Sequence, residues 1–284
     1  MKVDIISDIH MDFYIKETDT NKPKFKKHIE DFVKNILCAK DGEILIIAGD
    51  TSHYNEQTKA LLQELKKYYK NIFIVFGNHS LYLVSKSQSE KYNYKSTNRL
   101  NELKDMCKDI GVHFLDGNVV EICGLRFGGT GSWYDLSEDD LDNWDKTMND
   151  SRLIKDGKGH YVYSMYGSGS YSNTFNPIEF YKKEKKKLLK IAKEGCDVFI
   201  THMALHEPTE DEGMCSEFLD DKNNIFYYTN NEDILEKSCC KVHIFGHTHK
   251  QFDFKMNDIR MVCNPLGYPS ENSYCTIKTI DIGD

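Results

Sequence analysis

The stretch "IFIVFGNHS", residues 72–80, is an unbroken run of five β-branched or aromatic residues followed by a glycine and three polar residues. A short continuous apolar run of this type is typical of a strand that is covered on both faces. Gly77 allows a tight exit from that strand, which leaves Asn78 and His79 at its carboxyl end. The stretch therefore predicts a buried strand with two polar side chains at one edge of a sheet.

The same arrangement recurs along the chain. Apolar runs that end just before polar residues are found at residues 3–7, 44–48, 198–201 and 242–245. Segments of helical period, such as residues 25–37 and 100–110, alternate with the early runs, and a βαβα order implies parallel pairing. We expect an α/β (α+β) fold in which two mixed β-sheets face each other and helices lie outside them.

Two segments break this alternation. Residues 112–134 and 251–282 contain short strands separated by turns, and this pattern predicts antiparallel meanders. A helix is predicted over residues 177–194, because Asn176 is a suitable N-cap, proline occupies the first helical position and Gly195 follows the last turn.

Residues 135–176 are first acidic and then rich in Gly, Ser, Tyr and Asn. An insertion of this length and composition predicts a lid or a binding loop. Its tyrosines could stack on a base or sugar, or could only pack the loop down; they are Tyr161, Tyr163, Tyr166 and Tyr171. No shift in composition marks a boundary, so we expect a single domain over residues 1–284.

Composition restricts the class of partner. The formal net charge of -8 disfavours binding to nucleic acid or to an anionic membrane, without excluding a local basic patch. The first ten residues carry Asp4 and Asp8 within their apolar run, which is not the pattern of a signal peptide or of a spanning helix. The nine cysteines show no CxxC spacing, which favours reduced thiols. We expect a cytoplasmic protein with no membrane partner.

Metal-ligand residue types follow five separate strands. Residues two apart in an extended chain point the same way, so Asp8 and His10 can face one point, and so can His247 and His249. The carboxyl ends of strands in an open α/β sheet form the usual binding crevice. The side chains expected to converge there are Asp8, His10, Asp50, Asn78, His202, His247 and His249.

Each of these residues alone has an ordinary structural explanation, such as a helix cap, a turn or a core histidine. The set is what predicts a metal centre. Oxygen and nitrogen donors without sulfur suit manganese, iron or zinc. Seven ligands with one shared carboxylate suit two ions with open coordination positions.

The order of these motifs resembles the calcineurin-like metallophosphoesterase family. The resemblance runs from Asp8 to His249 through Asp8-Ile9-His10, Gly49-Asp50, Gly77-Asn78-His79, Thr201-His202 and Gly246-His247-Thr248-His249. One branch of that family begins "SDLHLEF" and ends near "NPRGY"; this chain has "SDIHMDF" at residues 7–13 and "NPLGY" at residues 264–268. "GSWYDL" and "MNDSRLI" also resemble the middle of that branch.

The resemblance implies a four-layer αββα sandwich and a dinuclear hydrolase of phosphate monoesters or diesters, in which a hydroxide shared by the ions attacks in line. It implies that one ion is held by Asp8, His10, Asp50 and His249. It implies that the other is held by Asp50, Asn78, His202 and His247. His79 would be the imidazole beside the leaving group and not a ligand.

The chain departs from the family pattern at several positions. Ser80 stands where an acid usually follows Gly-Asn-His, and Met203 stands where the branch often has a second histidine. His206 is a candidate to reach the site in its place. Candidates to line the substrate pocket are Trp133 and Tyr134; candidates to support the ligands are Asp12 and Asp150.

A small phosphate ester, such as a nucleotide-like molecule, is the substrate that we expect. A metal-dependent nuclease would share the same centre but would require a continuous basic groove. A non-catalytic scaffold of the same fold would have lost ligands or His79, whereas this chain retains all of them.

Overall fold

The computed structural model describes residues 1–163, 169–172, 175–209, 212, 222–271 and 276–283, with side chains left undescribed between residues 160 and 174. Its first sheet has five strands, in the spatial order β13-β1-β2-β3-β4. They are β1 (Lys2–Ile6), β2 (Ile44–Ile47), β3 (Asn71–Ile74), β4 (His113–Phe114) and β13 (Lys278–Asp281). The first four strands are parallel, and β13 is antiparallel to β1.

The second sheet has six strands, in the spatial order β11-β12-β10-β9-β6-β5. They are β5 (Asn118–Ile122), β6 (Leu125–Gly129), β9 (Val198–Ile200), β10 (Val242–Phe245), β11 (Phe252–Met256) and β12 (Ile259–Cys263). The four central strands are parallel, and the two edge strands are antiparallel to their neighbours. A separate hairpin consists of β7 (His160–Tyr163) and β8 (Gly169–Ser172).

The α-helices of the described residues connect and cover these strands. They are α1 (Met11–Tyr14), α2 (Pro23–Ile36), α3 (Asn55–Leu65), α4 (Lys86–Lys91), α5 (Ser96–Asp109), α6 (Leu141–Thr147), α7 (Asp150–Leu153), α8 (Pro177–Glu194) and α9 (Glu232–Ser238). Helix α8 has the predicted bounds, and the side chain of Asn176 accepts a hydrogen bond from the backbone N–H of Glu179.

Alternation along the strands creates a layered core. Ile5, Phe73 and Ile200 belong to the cluster that fills the space between the sheets. Their strand neighbours point outward: the opposite face of the first sheet packs on α2, α3 and α5, and that of the second sheet packs on α8 and α9. The prediction of two facing mixed sheets flanked by helices is therefore confirmed.

The predicted meanders are confirmed only in part, because each contains one antiparallel hairpin while its remaining strand pairs in the other sheet. Strand β4 pairs in parallel with β3 in the first sheet, whereas β5 and β6 form a hairpin in the second. The chain passes between the sheets at Asp116-Gly117-Asn118, where Gly117 has a φ of 84°. At the carboxyl end, β11 and β12 likewise form a hairpin of the second sheet, and β13 then returns to the first.

The segment predicted as a long loop contains regular structure. Residues 138–153 include a 3-10 turn, α6 and α7, and the hairpin of β7 and β8 follows. Trp144 of α6 is buried, and so is Asp150 of α7. These buried side chains anchor the first part of the segment. The acidic sequence of this part did not indicate that any of its residues would be buried.

Among the described residues, no helix is both long enough and apolar enough to cross a lipid bilayer.

The stacked rings of Phe73 and Phe127 join the two sheets, with centroids 4.3 Å apart. We expect Phe73→Ala to lower the free energy of unfolding by about 3–5 kcal/mol, because it removes a buried ring and leaves a cavity. Urea denaturation would measure the change. Tyr68→Ala is the control, since Tyr68 is 40% exposed and its loss should cost about 0.5 kcal/mol or less. Equal effects of the two substitutions would contradict the expected role of the contact.

Candidate metal centre

The carboxyl ends of five strands bring the predicted side chains together at one end of the sandwich. Strands β1, β2 and β3 of the first sheet and β9 and β10 of the second each end just before one or two of them. Ligand atoms lie within 4.8 Å of one another in three groups: Asp8, His10 and His249; Asp50, His202 and His247; and His10, Asp50 and His79.

Asp50 lies at the centre of these groups. Its Oδ2 is 3.2 Å from Nε2 of His202 and 3.9 Å from Nε2 of His79. Its Oδ1 accepts a hydrogen bond of 3.0 Å from the backbone N–H of His79. Burial opposes ionisation of this carboxyl, but the nearby imidazoles of His202 and His79 hold its pKa well below the usual value.

His202 directs one ring nitrogen into the centre. Its Nδ1 is 2.8 Å from the carbonyl oxygen of Ala48, and because a carbonyl can only accept, Nδ1 is the donor. Nε2 therefore faces Asp50 and also the amide oxygen of Asn78, at 3.2 Å. Burial would lower the pKa of His202, but Asp50 raises it to about 9. The carboxylate of Asp50 thus favours a positive charge beside Nε2 of His202.

Outer contacts fix the orientation of the other two predicted histidines that follow β10. Nε2 of His247 is 2.9 Å from the carbonyl oxygen of Phe226, which leaves Nδ1 available. Nδ1 of His249 is 2.7 Å from Oε2 of Glu271, and its Nε2 is 3.0 Å from Nε2 of His10. The backbone N–H of His247 donates to both oxygens of Asp8, each at 3.1 Å.

Asp150 orients the amide of Asn78. Its Oδ1 accepts hydrogen bonds from Nδ2 of Asn78 at 2.8 Å and from the hydroxyl of Tyr82 at 2.5 Å. Its Oδ2 accepts from the hydroxyl of Tyr134 at 2.7 Å. Since the amide nitrogen is held by Asp150, the amide oxygen points toward His202.

Several of the predicted ligands have backbone conformations in the left-handed region. Positive φ angles are found at Asp8 (49°), His10 (43°), Asp50 (50°), His247 (67°) and His249 (52°). Residues other than glycine rarely occupy the left-handed region, and such strain persists where the surrounding structure imposes it.

Three glycines make room for these side chains. A Cβ atom at Gly77 would lie 2.0 Å from Oδ1 of Asp50, and one at Gly49 would lie 2.4 Å from Nδ1 of His202. A Cβ atom at Gly246 would lie 2.7 Å from Oδ2 of Asp8. The glycines of the three motifs are therefore required by the close packing of the ligand groups.

The donor set fits transition-metal ions. The three groups contain carboxylate oxygens and imidazole nitrogens, and Asn78 adds an amide oxygen. Nδ1 of His10 is buried and has no hydrogen-bond partner. Such a set of nitrogen and oxygen donors without sulfur is suited to manganese, iron or zinc.

A cavity of about 430 Å³ opens beside the centre. Its described lining includes Asp50, Asn78, His79, Tyr82, Thr147, Met148, Asn149, Asn223, Asn224, Tyr227, Tyr228, His247, Thr248, His249, Lys250, Tyr268 and Glu271.

Three residues that the sequence predicts at the substrate pocket are not among the described residues that line this cavity: Trp133, Tyr134 and His206. Trp133 and Tyr134 are fully buried, and Trp133 packs against Phe175 and Phe180 while Tyr134 binds Asp150. His206 lies between the carboxylates of Glu232 and Glu212, at 3.1 and 3.0 Å. Burial among other side chains explains the first two positions, and contacts with two carboxylates explain the third.

The loop tyrosines, Tyr161, Tyr163, Tyr166 and Tyr171, lie outside the part of the chain whose side chains are described. Two other aromatic side chains, which were not predicted as site residues, contact histidines of the centre. Tyr268 stacks on His10 with a centroid distance of 4.6 Å, and His53 stacks on His79 at the same distance. The tyrosine of the "NPLGY" motif was a usable signal for the first contact, whereas His53 offered none.

We expect Gly77→Ala to abolish stable metal binding, because the added methyl group displaces the carboxylate of Asp50. The backbone at Gly77 has an ordinary φ of -110°, so the effect isolates the collision. Metal content per chain after dialysis would measure it, with circular dichroism to verify folding. Gly283→Ala, whose Cβ would have only ordinary contacts, is the control. Full metal content in Gly77→Ala would refute the arrangement.

The chain is similar to known proteins in sequence and in fold. The uncharacterized protein L509 of Acanthamoeba polyphaga mimivirus is 25% identical over 287 residues, which cover 98% of this chain and 95% of that protein. The crystal structure of phosphopantetheinyl hydrolase (PptH) from Mycobacterium tuberculosis is similar in fold, with a TM-score of 0.68, 16% identity and coverage of 98% of this chain and 95% of that one. The family profile described as calcineurin-like phosphoesterase matches residues 1–251. The chain therefore belongs to the calcineurin-like phosphoesterase family.

Proposed function

We propose that this protein hydrolyses small phosphate esters with the help of two transition-metal ions. The observation that carries the proposal is the shared position of Asp50, which lies between the group of Asp8, His10 and His249 and the group of His202 and His247. One carboxylate between two sets of imidazole nitrogens is suited to holding two metal ions side by side.

The contacts described above support a division of the predicted ligands between two ions. Asp8, His10, Asp50 and His249 would hold one ion, and Asp50, Asn78, His202 and His247 the other. When bound, manganese, iron or zinc at these positions would supply the Lewis acidity that activates water and neutralises phosphoryl oxygens. The chain itself orients the donors through the carbonyls of Ala48 and Phe226 and through Glu271 and Asp150.

His79 is the proposed proton donor to the leaving group. It lines the cavity, and the hydrogen bond from its backbone N–H to Asp50 fixes it beside the centre. Burial lowers the pKa of its imidazole well below the usual value, although Asp50 opposes this. Once protonated, this imidazole would be placed to give its proton to a departing alkoxide.

The size and charge of the cavity favour a small substrate over a polynucleotide. About 430 Å³ is enough for a phosphate and an organic group of the size of a nucleoside. The described residues that line the cavity include a single lysine, Lys250, and no arginine. Because nucleic-acid binding depends on many cationic contacts, this lining supports the small-molecule alternative over a nuclease.

Part of the segment of residues 135–176 would take part in substrate binding. Thr147, Met148 and Asn149 of this segment line the cavity. We include the segment in one catalytic domain over residues 1–284, with both sheets contributing to the same site.

The test is metal analysis of the purified protein combined with hydrolysis of an aryl phosphate monoester and an aryl phosphate diester. We expect up to two ions per chain and turnover that a chelator abolishes and added manganese or zinc restores. Turnover of a diester but not a monoester would assign a phosphodiesterase. Inertness toward both esters with the metals bound would overturn the proposal in favour of a scaffold.

Substitution of His79 and of Asp50 should have different effects. His79→Ala should retain both ions and lose about 10²–10⁴-fold in turnover, because only proton donation is removed. Asp50→Asn should lose bound metal as well as turnover, because the neutral amide is a weaker bridging group. Metal content and kcat would be measured on the same samples. Unchanged turnover in His79→Ala would exclude its proposed role.

A further inference from the structure

We propose that His53, anchored by Asp12, is a positioning residue that holds the ring of His79 in its productive orientation. This inference rests on the proposed function of His79. It assigns a role to a pair of side chains that takes no part in ligating the ions.

The residue that follows His79 cannot provide this support. Ser80 occupies the position where the family usually has an acid, and its side chain turns back into its own loop. Its Oγ accepts a hydrogen bond of 3.3 Å from the backbone N–H of Gly77, and the residue is buried. Ser80 therefore stabilises the turn after β3.

The ring of His53 covers the ring of His79. Their centroids are 4.6 Å apart and their planes differ by only 10°. Tyr82 and His10 also pack against His79, with centroid distances of 4.4 and 4.5 Å, but their planes are tilted by 28° and 59°. His53 is thus the most nearly parallel of these three neighbouring rings and limits rotation of His79 out of its plane.

Asp12 fixes His53 at two points. Its Oδ2 lies 2.7 Å from Nδ1 of His53, and its Oδ1 accepts a 3.2 Å hydrogen bond from the backbone N–H of the same residue. Nε2 of Gln88 donates to the carbonyl oxygen of His53 at 2.8 Å. Both the backbone and the ring of His53 are therefore held, with Nδ1 as the donor to the carboxylate.

The contact between His53 and His79 is a stacking contact and not a proton relay. Nε2 of His53 and Nδ1 of His79 are both buried, and neither has a hydrogen-bond partner among the described residues. Parallel rings cannot form an in-plane hydrogen bond with each other. With Nδ1 of His79 unpaired, ring packing is what determines the orientation of its imidazole.

Loss of this support should affect the steps that depend on His79. Proton donation matters most when the leaving group is a poor one, such as an alkoxide, and least for a nitrophenolate. We expect His53→Ala to lower kcat for an alkyl phosphate ester about 10²-fold, the scale expected when a catalytic group is misplaced by about 1 Å. The loss for a nitrophenyl ester should be much smaller, and KM and metal content should not change.

A double substitution distinguishes positioning from general structural damage. In a His79→Ala background, His53→Ala should cause no further loss of turnover, since the group that it positions is absent. Asp12→Asn is the milder companion variant, because an amide oxygen still accepts from Nδ1 of His53; it should retain most of the activity that His53→Ala loses. His28→Ala, which removes an exposed histidine of α2, is the control.

A second measurement does not depend on turnover. In protein labelled with ¹⁵N-histidine and free of metal, the ring signals of His79, identified by their loss in His79→Ala, should shift or broaden in His53→Ala and remain unchanged in His28→Ala. If no ester is hydrolysed, this spectrum still tests the contact while the proposed function fails. Unchanged His79 signals, equal losses for both leaving groups, or a full further loss in the double variant would overturn the inference.

Discussion

The carboxylate of Asp50 is the group on which the rest of the centre depends. An ionised carboxylate that is almost completely buried is unfavourable unless opposite charge and hydrogen bonds surround it. Here the compensation comes from the backbone N–H of His79 and from the imidazoles of His202, His79 and His10. Those imidazoles follow three different strands in two sheets. Compensation of the negative charge of Asp50 therefore depends on both sheets reaching the centre.

Hydrogen bonds from residues outside the centre hold its loops in place. Arg99 of α5 is wholly buried and donates to the carbonyl oxygens of His79, Tyr82 and Ser52, so it ties together the loops that follow β2 and β3. Asp150 also holds the loop after β3, through hydrogen bonds from Asn78 and Tyr82. Left-handed backbone at five of the predicted ligands costs stability, and this cost is tolerated where rigid neighbours fix the conformation.

The sequence predicts those parts of the molecule that depend on local pattern. Apolar runs followed by polar residues identify the five strands and the seven side chains that converge at their ends; the role of these side chains as ligands stays a prediction. Pairing between distant segments is not encoded locally, and for that reason residues 112–134 predict one meander although the chain crosses from the first sheet to the second at Asp116-Gly117-Asn118. The same limit applies to Trp133 and Tyr134, since an aromatic residue just after a strand has the same local pattern whether it faces a pocket or the core.

The hydrogen bonds from the backbone N–H of His247 to the carboxylate of Asp8 join residues that are 239 positions apart. A ribosome-bound chain of this protein therefore cannot complete the centre until β10 has been synthesised and has left the exit tunnel. Amino-terminal fragments that contain only β1 to β4 would present Asp8 and Asp50 without the imidazoles that follow β9 and β10. Because the donors are divided between two sheets, the centre can form only after the strands of both sheets that carry them have been synthesised and have paired.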